Sequence, residues 1–246
     1  AINGVSFTAV IASLYAVRVG FIPKENNTNT IIEDLKDGIK YSFGFAPIRY
    51  MLILVISTGF FILPFQSFLP VFARDVLNGD SSLYGVLTGS YGAGALIGAF
   101  FLASRKSLKS FPVYIMIAAF LFSGALALFS SSTITAISMA LLVICGWAMI
   151  AQYVSVNTLL QTIARPDMTG RVISFYGMSF MTVTPLGAIL IGTLANSFNI
   201  QDIFITFSLL SLIAGLIYSS QKSRIQKELT RVLKAESEAG SSNDHI

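Results

Sequence analysis

Seven apolar stretches divide this chain, and the basic residues between them fall almost entirely on alternate connections. The stretches are Ala1–Val19, Tyr50–Ala73, Leu83–Ala103, Phe111–Ser130, Ile134–Thr158, Val172–Ala195 and Asp202–Ser219. A hydrocarbon core about 30 Å thick takes roughly 20 apolar residues of helix to cross, and each stretch approaches or exceeds that length. Assigning the connections alternately puts fifteen of the sixteen Lys and Arg residues on one side and leaves only Arg74 on the other. The first set is Arg18, Lys24, Lys36, Lys40 and Arg49; then Arg105, Lys106 and Lys109; then Arg165 and Arg171; then Lys222, Arg224, Lys227, Arg231 and Lys234. Basic residues near span ends are retained in the cytoplasm, so that side is expected to be cytoplasmic. The expectation is an all-α integral membrane protein that starts outside, crosses seven times and ends inside.

Composition removes several function classes. With 54% hydrophobic and 11% charged residues, the chain is no ordinary soluble domain. Its net charge of +4 sits in loops flanking spans, where topology accounts for it, so the lipid bilayer and not nucleic acid is the expected partner. The single cysteine, Cys145, lies inside an apolar stretch and offers no disulfide framework or redox pair. The single histidine, His245, lies in the polar tail. No metal cluster, phosphate loop or nucleophile with a partnered base is present, so neither an enzyme, a metal nor a cofactor is expected. No charged residue sits deep in any stretch, and proton coupling, which in membranes runs through buried ionisable groups, must then use groups near the ends or outside this chain.

The chain opens with Ala1 inside an apolar stretch and shows no basic leader, so the expectation is a piece of a longer protein whose N-terminal part precedes it. Four regions follow: residues 1–19 as the last span of an N-terminal bundle, 20–49 as a cytoplasmic linker, 50–219 as a six-span bundle and 220–246 as a cytoplasmic tail. Within the linker, the turn-prone run PKENNTNT gives way to an amphipathic segment. Thr30 and Glu33 fit a capping box, Ile31, Leu35, Ile39 and Phe43 repeat every fourth residue, and Pro47 closes the helix. Such a helix lies along the membrane interface, as a strap between bundles or as a regulatory element. In the tail, KSRIQKELTRVLK is basic and attracts anionic lipid, whereas AESEAGSSNDHI has too little apolar surface to order itself.

Six spans after the linker form two sets of three, and an odd set number turns the second set upside down relative to the first, the inverted-repeat arrangement of transporters. Gly85 and Gly89, and separately Gly94 and Gly98, are small residues one turn apart that let helix backbones approach, either as static packing or as a contact that slides. Pro64, Pro70 and Pro185 interrupt backbone hydrogen bonds, giving curvature or a gate. Polar groups inside the stretches must face protein or water. Gln66, Tyr91, Gln152, Tyr176 and Thr182 are therefore candidates either for interhelical bonds or for the wall of a substrate cavity.

Two loop motifs are more specific. LPVFARDVLNG leaves the second stretch with Arg74 and Asp75, and NTLLQTIARPDMTGRVISFYG runs from Asn157 to Gly177 across a cytoplasmic turn. There Asp167 and Arg171 form a charged latch or simply cap the next helix. The order LPVFARDVL, a glycine-rich span, NTLLQ, PDMTGRVISFY and PLGAIL resembles the C-terminal half of the major facilitator superfamily over Ile31 to Tyr218. Within it, the chain is similar to the branch that includes the enterobactin exporter and related bacterial efflux permeases; where that branch often has Leu-Arg-Gly-Arg, this chain has Met168, Thr169, Gly170 and Arg171. The resemblance implies a six-helix C-terminal bundle plus one preceding span in a bacterial inner membrane. It implies export of a small amphipathic substrate by alternating access, with a further six-span N-terminal half as partner, Arg74, Asp75, Asp167 and Arg171 as gating residues, and proton drive. Lysophospholipid transport is the alternative among relatives, and a non-transporting scaffold or sensor the alternative of a different class.

Overall fold

The computed structural model describes residues 31–105 and 107–243, together with Ser13. The expected span Ala1–Val19 apart from Ser13, the PKENNTNT run, Thr30 of the capping box, Lys106 and His245 lie outside the described residues.

Among the described residues, six helical segments are long and apolar enough to cross a membrane: Ala46–Val76, Ser81–Ala103, Leu108–Ser131, Thr135–Ile163, Thr169–Leu194 and Ile200–Ala235. They coincide with the last six stretches of the sequence reading, and among the described residues no strand occurs. The chain is a multi-pass, all-α membrane protein. Helix is dictated by the solvent, because hydrocarbon offers no partner for an open N–H or C=O and a helix satisfies its own.

In chain order the elements are α1 (Ile31–Gly44), α2 (Ala46–Phe61), α3 (Phe65–Val71) continuing into a π-helical turn (Phe72–Val76), α4 (Ser81–Ala103), α5 (Phe111–Ser131), α6 (Thr135–Ile163), α7 (Thr169–Met181), α8 (Val183–Leu194) and α9 (Ile200–Asn243). A tight turn joins the π-helical segment to α4. Asn78 takes the left-handed conformation there, at φ 52°, and the Asp80 carboxylate accepts from the Leu83 N–H at 3.1 Å to cap α4.

Two contacts organise the bundle. One is a knot of phenylalanines from α3, the π-helical turn, α5 and α9. Phe65, Phe72, Phe122, Phe129 and Phe204 are fully buried, with ring centroids 5.0 Å apart for Phe72–Phe129 and 5.7 Å for Phe72–Phe204. The other is the crossing of α4 and α6, where backbone meets backbone. A Cβ on Gly94 would stand 2.0 Å from the Val143 carbonyl oxygen, and one on Gly146 would stand 1.9 Å from that of Tyr91. Without a hydrophobic driving force in lipid, helices associate through such close packing.

Burial is uneven. The most apolar window of Ala46–Val76 is 56% buried, but that of Ser81–Ala103 is 28% and that of Thr169–Leu194 only 17%. Leu96, Ile97 and Phe100 on α4, and Met181, Leu186 and Ile189 on α7 and α8, are largely exposed.

One end of the bundle gathers the described parts of the basic connections. A cavity of about 1000 Å³ there is lined by Tyr41 of α1 and the adjoining Phe45, from the α4–α5 connection by Leu108, from the α6–α7 turn by Arg165, and from α9 by Arg231. One expectation changes at this end. The terminal AESEAGSSNDHI was expected to stay unordered, yet α9 runs unbroken to Asn243. Extending an existing helix adds one bond per residue and needs no new nucleus, and Ile225 and Leu229 are fully buried. On α1, Ile39 and Phe43 are exposed. Gly38 and Ser42 are buried instead, and a Cβ at Gly38 would stand 3.0 Å from the Phe175 ring and 3.2 Å from the Arg171 Cβ, so small residues set the approach.

Candidate functional site

Two of the spans are broken, and they cross at the breaks. Pro64 supplies no N–H to Phe60, so α2 stops at Phe61 and the chain turns through Ile62–Pro64, where the Leu63 N–H reaches back to Thr58 O at 3.0 Å. Pro185 supplies none to Met181, and α7 gives way to α8 at Thr182. At the crossing, a Cβ on Gly187 would stand 2.1 Å from the Phe60 carbonyl oxygen and 2.9 Å from the Pro64 ring, and one on Gly59 would stand 2.9 Å from the Ser179 carbonyl oxygen. The oxygen stripped of its donor by Pro64 thus lies against bare Cα of the other broken span. Pro70 differs, lying inside α3 without breaking it, just before the π-helical turn whose Leu77 N–H bonds Phe72 O at 2.9 Å.

Beyond this joint, the Gln66 amide donates to the Tyr91 hydroxyl at 3.0 Å, joining α3 to α4. Gln66 is exposed and Tyr91 largely buried, with the Tyr91 ring edge-on to Phe65 at 5.4 Å. Gly85, Gly89 and Gly92 on α4 are also exposed, and an added Cβ on any of them meets nothing within 4 Å. The expected packing role therefore divides. Gly94 and Gly98 are in the α4–α6 contact, where a Cβ on Gly98 would stand 2.9 Å from the Trp147 carbonyl oxygen. Gly85 and Gly89 are not, because they lie on the face turned away from α6.

The remaining cavity candidates are placed elsewhere. Gln152 is completely buried, and its amide donates to the Thr58 hydroxyl at 2.9 Å. That makes it a link between α6 and α2 and not part of an open wall. Tyr176 donates to the Tyr153 carbonyl at 3.0 Å inside an aromatic trio, with Tyr153–Phe180 at 4.3 Å and Tyr176–Phe180 at 5.2 Å. Thr182, at the α7–α8 break, lines a separate crevice of about 190 Å³. Of the five candidates, the structure joins Gln66 to Tyr91 and brings no others to them.

Among the gating candidates, Arg74 and Asp75 pair side by side on the exposed π-helical turn at 2.6 Å. Asp167 does not cap α7, whose N-cap is Met168 without a side-chain bond. Its carboxylate instead takes a two-pronged contact from Arg165, at 2.8 and 3.1 Å, which the short Pro166 turn brings within reach. Arg171 reaches Asp37 of α1 at 3.9 Å with its side chain only 22% exposed. The Tyr41 hydroxyl, also from α1, accepts from the Arg165 backbone N–H at 3.0 Å. The α6–α7 turn is therefore held by α1. Sequence reasoning missed Tyr41, Asp37, Thr58 and Gly146; the available signal was that a buried glutamine such as Gln152 requires a partner on a neighbouring span.

Residues 1–239 match the family model described as transmembrane secretion effector. A search among curated proteins returned no match.

Proposed function

The chain belongs to the transmembrane secretion effector family of major facilitator membrane transporters, and on that premise we propose that it exports small amphipathic molecules, siderophore-like or drug-like, by alternating access. The observation that carries this reading is the Gln66–Tyr91 pair, a hydrogen-bonded polar group beside the exposed glycines 85, 89 and 92 of α4. An amide and a phenol beside apolar wall suit a ligand with both characters. The same sparsely buried face, with that of α7 and α8, is the surface against which a further six-span half would close, putting the pair at the midplane between halves.

On this reading the basic end is cytoplasmic, the membrane is the bacterial inner membrane and the proton gradient drives export, with the titrating group supplied by the other half. The joint of Gly59 and Gly187 lets the two broken spans bend together as the site changes sides.

Export of a fluorescent amphipathic dye from cells tests the reading, with Gln66→Ala and Tyr91→Phe measured against the parent at equal membrane abundance. Both variants should slow export, and a protonophore should abolish it in the parent. Undiminished export by both variants removes the pair from the substrate path. Absence of export in the parent for every dye and siderophore tried favours a scaffold.

A further inference from the structure

The outer face of α1 and the crevice beside it form a site separate from the Gln66–Tyr91 pair. Helix positions three, four and seven apart share one face. On α1 that face is Lys36, Ile39, Lys40 and Phe43, and all four are exposed, Ile39 by 44% and Phe43 by 38%. Arg49 lies alongside, its guanidinium donating to the Phe43 carbonyl at 3.2 Å and stacking over the Tyr50 ring at 5.0 Å. Between residues 35 and 49 the one acidic side chain is Asp37, which is directed toward Arg171 at 3.9 Å. Lys36 and Lys40 thus share the exposed face of Phe43, and Arg49 meets its backbone carbonyl.

Phe43 is also one wall of the crevice between α1, α2 and α7, completed by Leu52, Ile56, Phe175 and Met178. Leu52 and Ile56 belong to the span Ala46–Val76, and Phe175 and Met178 to Thr169–Leu194. With Ile56 ten residues into its span, the crevice reaches about 15 Å along the helix at 1.5 Å per residue, well into the hydrocarbon layer. Its volume of about 190 Å³ has room for about six groups of water size, at about 30 Å³ each.

Cations at the mouth and an apolar slot beneath call for an amphiphile with an anionic head. A soluble peptide or nucleotide has no access to a slot inside hydrocarbon, whereas lipid is always there. We propose that α1 and this crevice hold one anionic phospholipid of the adjacent leaflet, its phosphate among Lys36, Lys40 and Arg49 and one acyl chain against Phe43. The lipid then bridges α1 and the α7–α8 break at Thr182, which lines the same crevice. The inference rests on the membrane setting of the chain and on no reading of what is transported.

The test uses the chain's single tryptophan, Trp147, moved to the mouth by Trp147→Phe with Phe43→Trp. The protein is reconstituted in phosphatidylcholine vesicles carrying a small fraction of either chain-brominated phosphatidylglycerol or chain-brominated phosphatidylcholine. Brominated phosphatidylglycerol should quench the indole at lower fractions, and the preference should shrink about fivefold for each of Lys36→Gln and Lys40→Gln, and further in high salt. If Phe43→Trp fails to insert, Ile39→Trp on the same face reports the same lipid. Equal quenching by the two lipids overturns the proposal, and so does a preference that survives removal of both lysines.

Discussion

Gly94→Ala puts the backbone contact between α4 and α6 under direct test. The new Cβ would stand 2.0 Å from the Val143 carbonyl oxygen, and ordinary contact begins at 3.4 Å, so the two backbones must part by about 1.4 Å along that line. No side-chain rotation relieves the clash, because its partner is main chain. Parting also pulls on Tyr91, which lies three residues earlier on α4 and carries the hydrogen bond from Gln66 and the edge contact with Phe65. Overpacking of a well-filled contact costs about 1–3 kcal/mol, and the gain in helix propensity from Gly to Ala returns at most about 1 kcal/mol. A net loss of about 2 kcal/mol lowers the melting midpoint of a chain this size by about 4–8 °C. The assay is thermal unfolding in detergent, followed by the loss of monodisperse elution after heating. Gly85→Ala and Gly89→Ala are the controls, since a Cβ on either has nothing within 4 Å, and both should stay within about 0.5 kcal/mol of the parent. If Gly94→Ala melts with the parent, or if Gly89→Ala falls as far, glycine in α4 is not setting the approach of α6.

Three further outcomes follow from other contacts. Gln152→Leu removes one buried bond to Thr58, which still donates to Leu54 O at 2.9 Å. Stability should fall by no more than about 1 kcal/mol, and a loss several times larger in denaturant titration would show that Gln152 anchors more than that bond. Arg171→Ala removes the partner of Asp37 and the stem packed on Gly38. A cysteine replacing Lys40 on α1 should then label faster while export falls, and an unchanged labelling rate would show that Arg171 does not hold α1. In a Cys145→Ser background, an impermeant thiol reagent should label Asp80→Cys but not Lys109→Cys in intact cells, and labelling at 109 reverses the orientation drawn from the 15-to-1 charge split.

The last six spans and the clustering of the described basic connections were legible because both follow from solvent physics acting on single residues. Hydrocarbon demands a minimum apolar length, and a charge near a span end declares itself without any partner. Residue pairs were legible only where chemistry forces one. Gln66 in an apolar stretch required a donor or acceptor, and Tyr91 on the next span offered an aromatic hydroxyl; the structure joins them at 3.0 Å. Asp167 had two arginines within reach, Arg165 and Arg171. The choice depended on the Pro166 turn and on α1 taking Arg171, and no spacing rule contains that information.

The joint between the broken spans lay beyond the sequence for a different reason. Pro64 and Pro185 each announce a missing hydrogen bond, but a proline alone leaves open whether the helix curves or breaks. What decides is the neighbour across the gap. Phe60, deprived of its donor by Pro64, keeps its carbonyl oxygen against Gly187, and Gly59 meets the carbonyl of Ser179. Each glycine removes the side chain that would have pushed the other span away at its weakest point. Glycines 59 and 187 are 128 positions apart, so neither falls in the other's helical period and no local pattern links them. The same logic explains why Gly85 and Gly89 were read as packing residues. A small-residue motif states that a close approach is allowed, not which surface makes it, and on α4 the approach to α6 is made by Gly94 and Gly98, about two and a half turns further along. The unused pair leaves a second close-approach surface on the same helix, which is what a face destined for another six-span half would need.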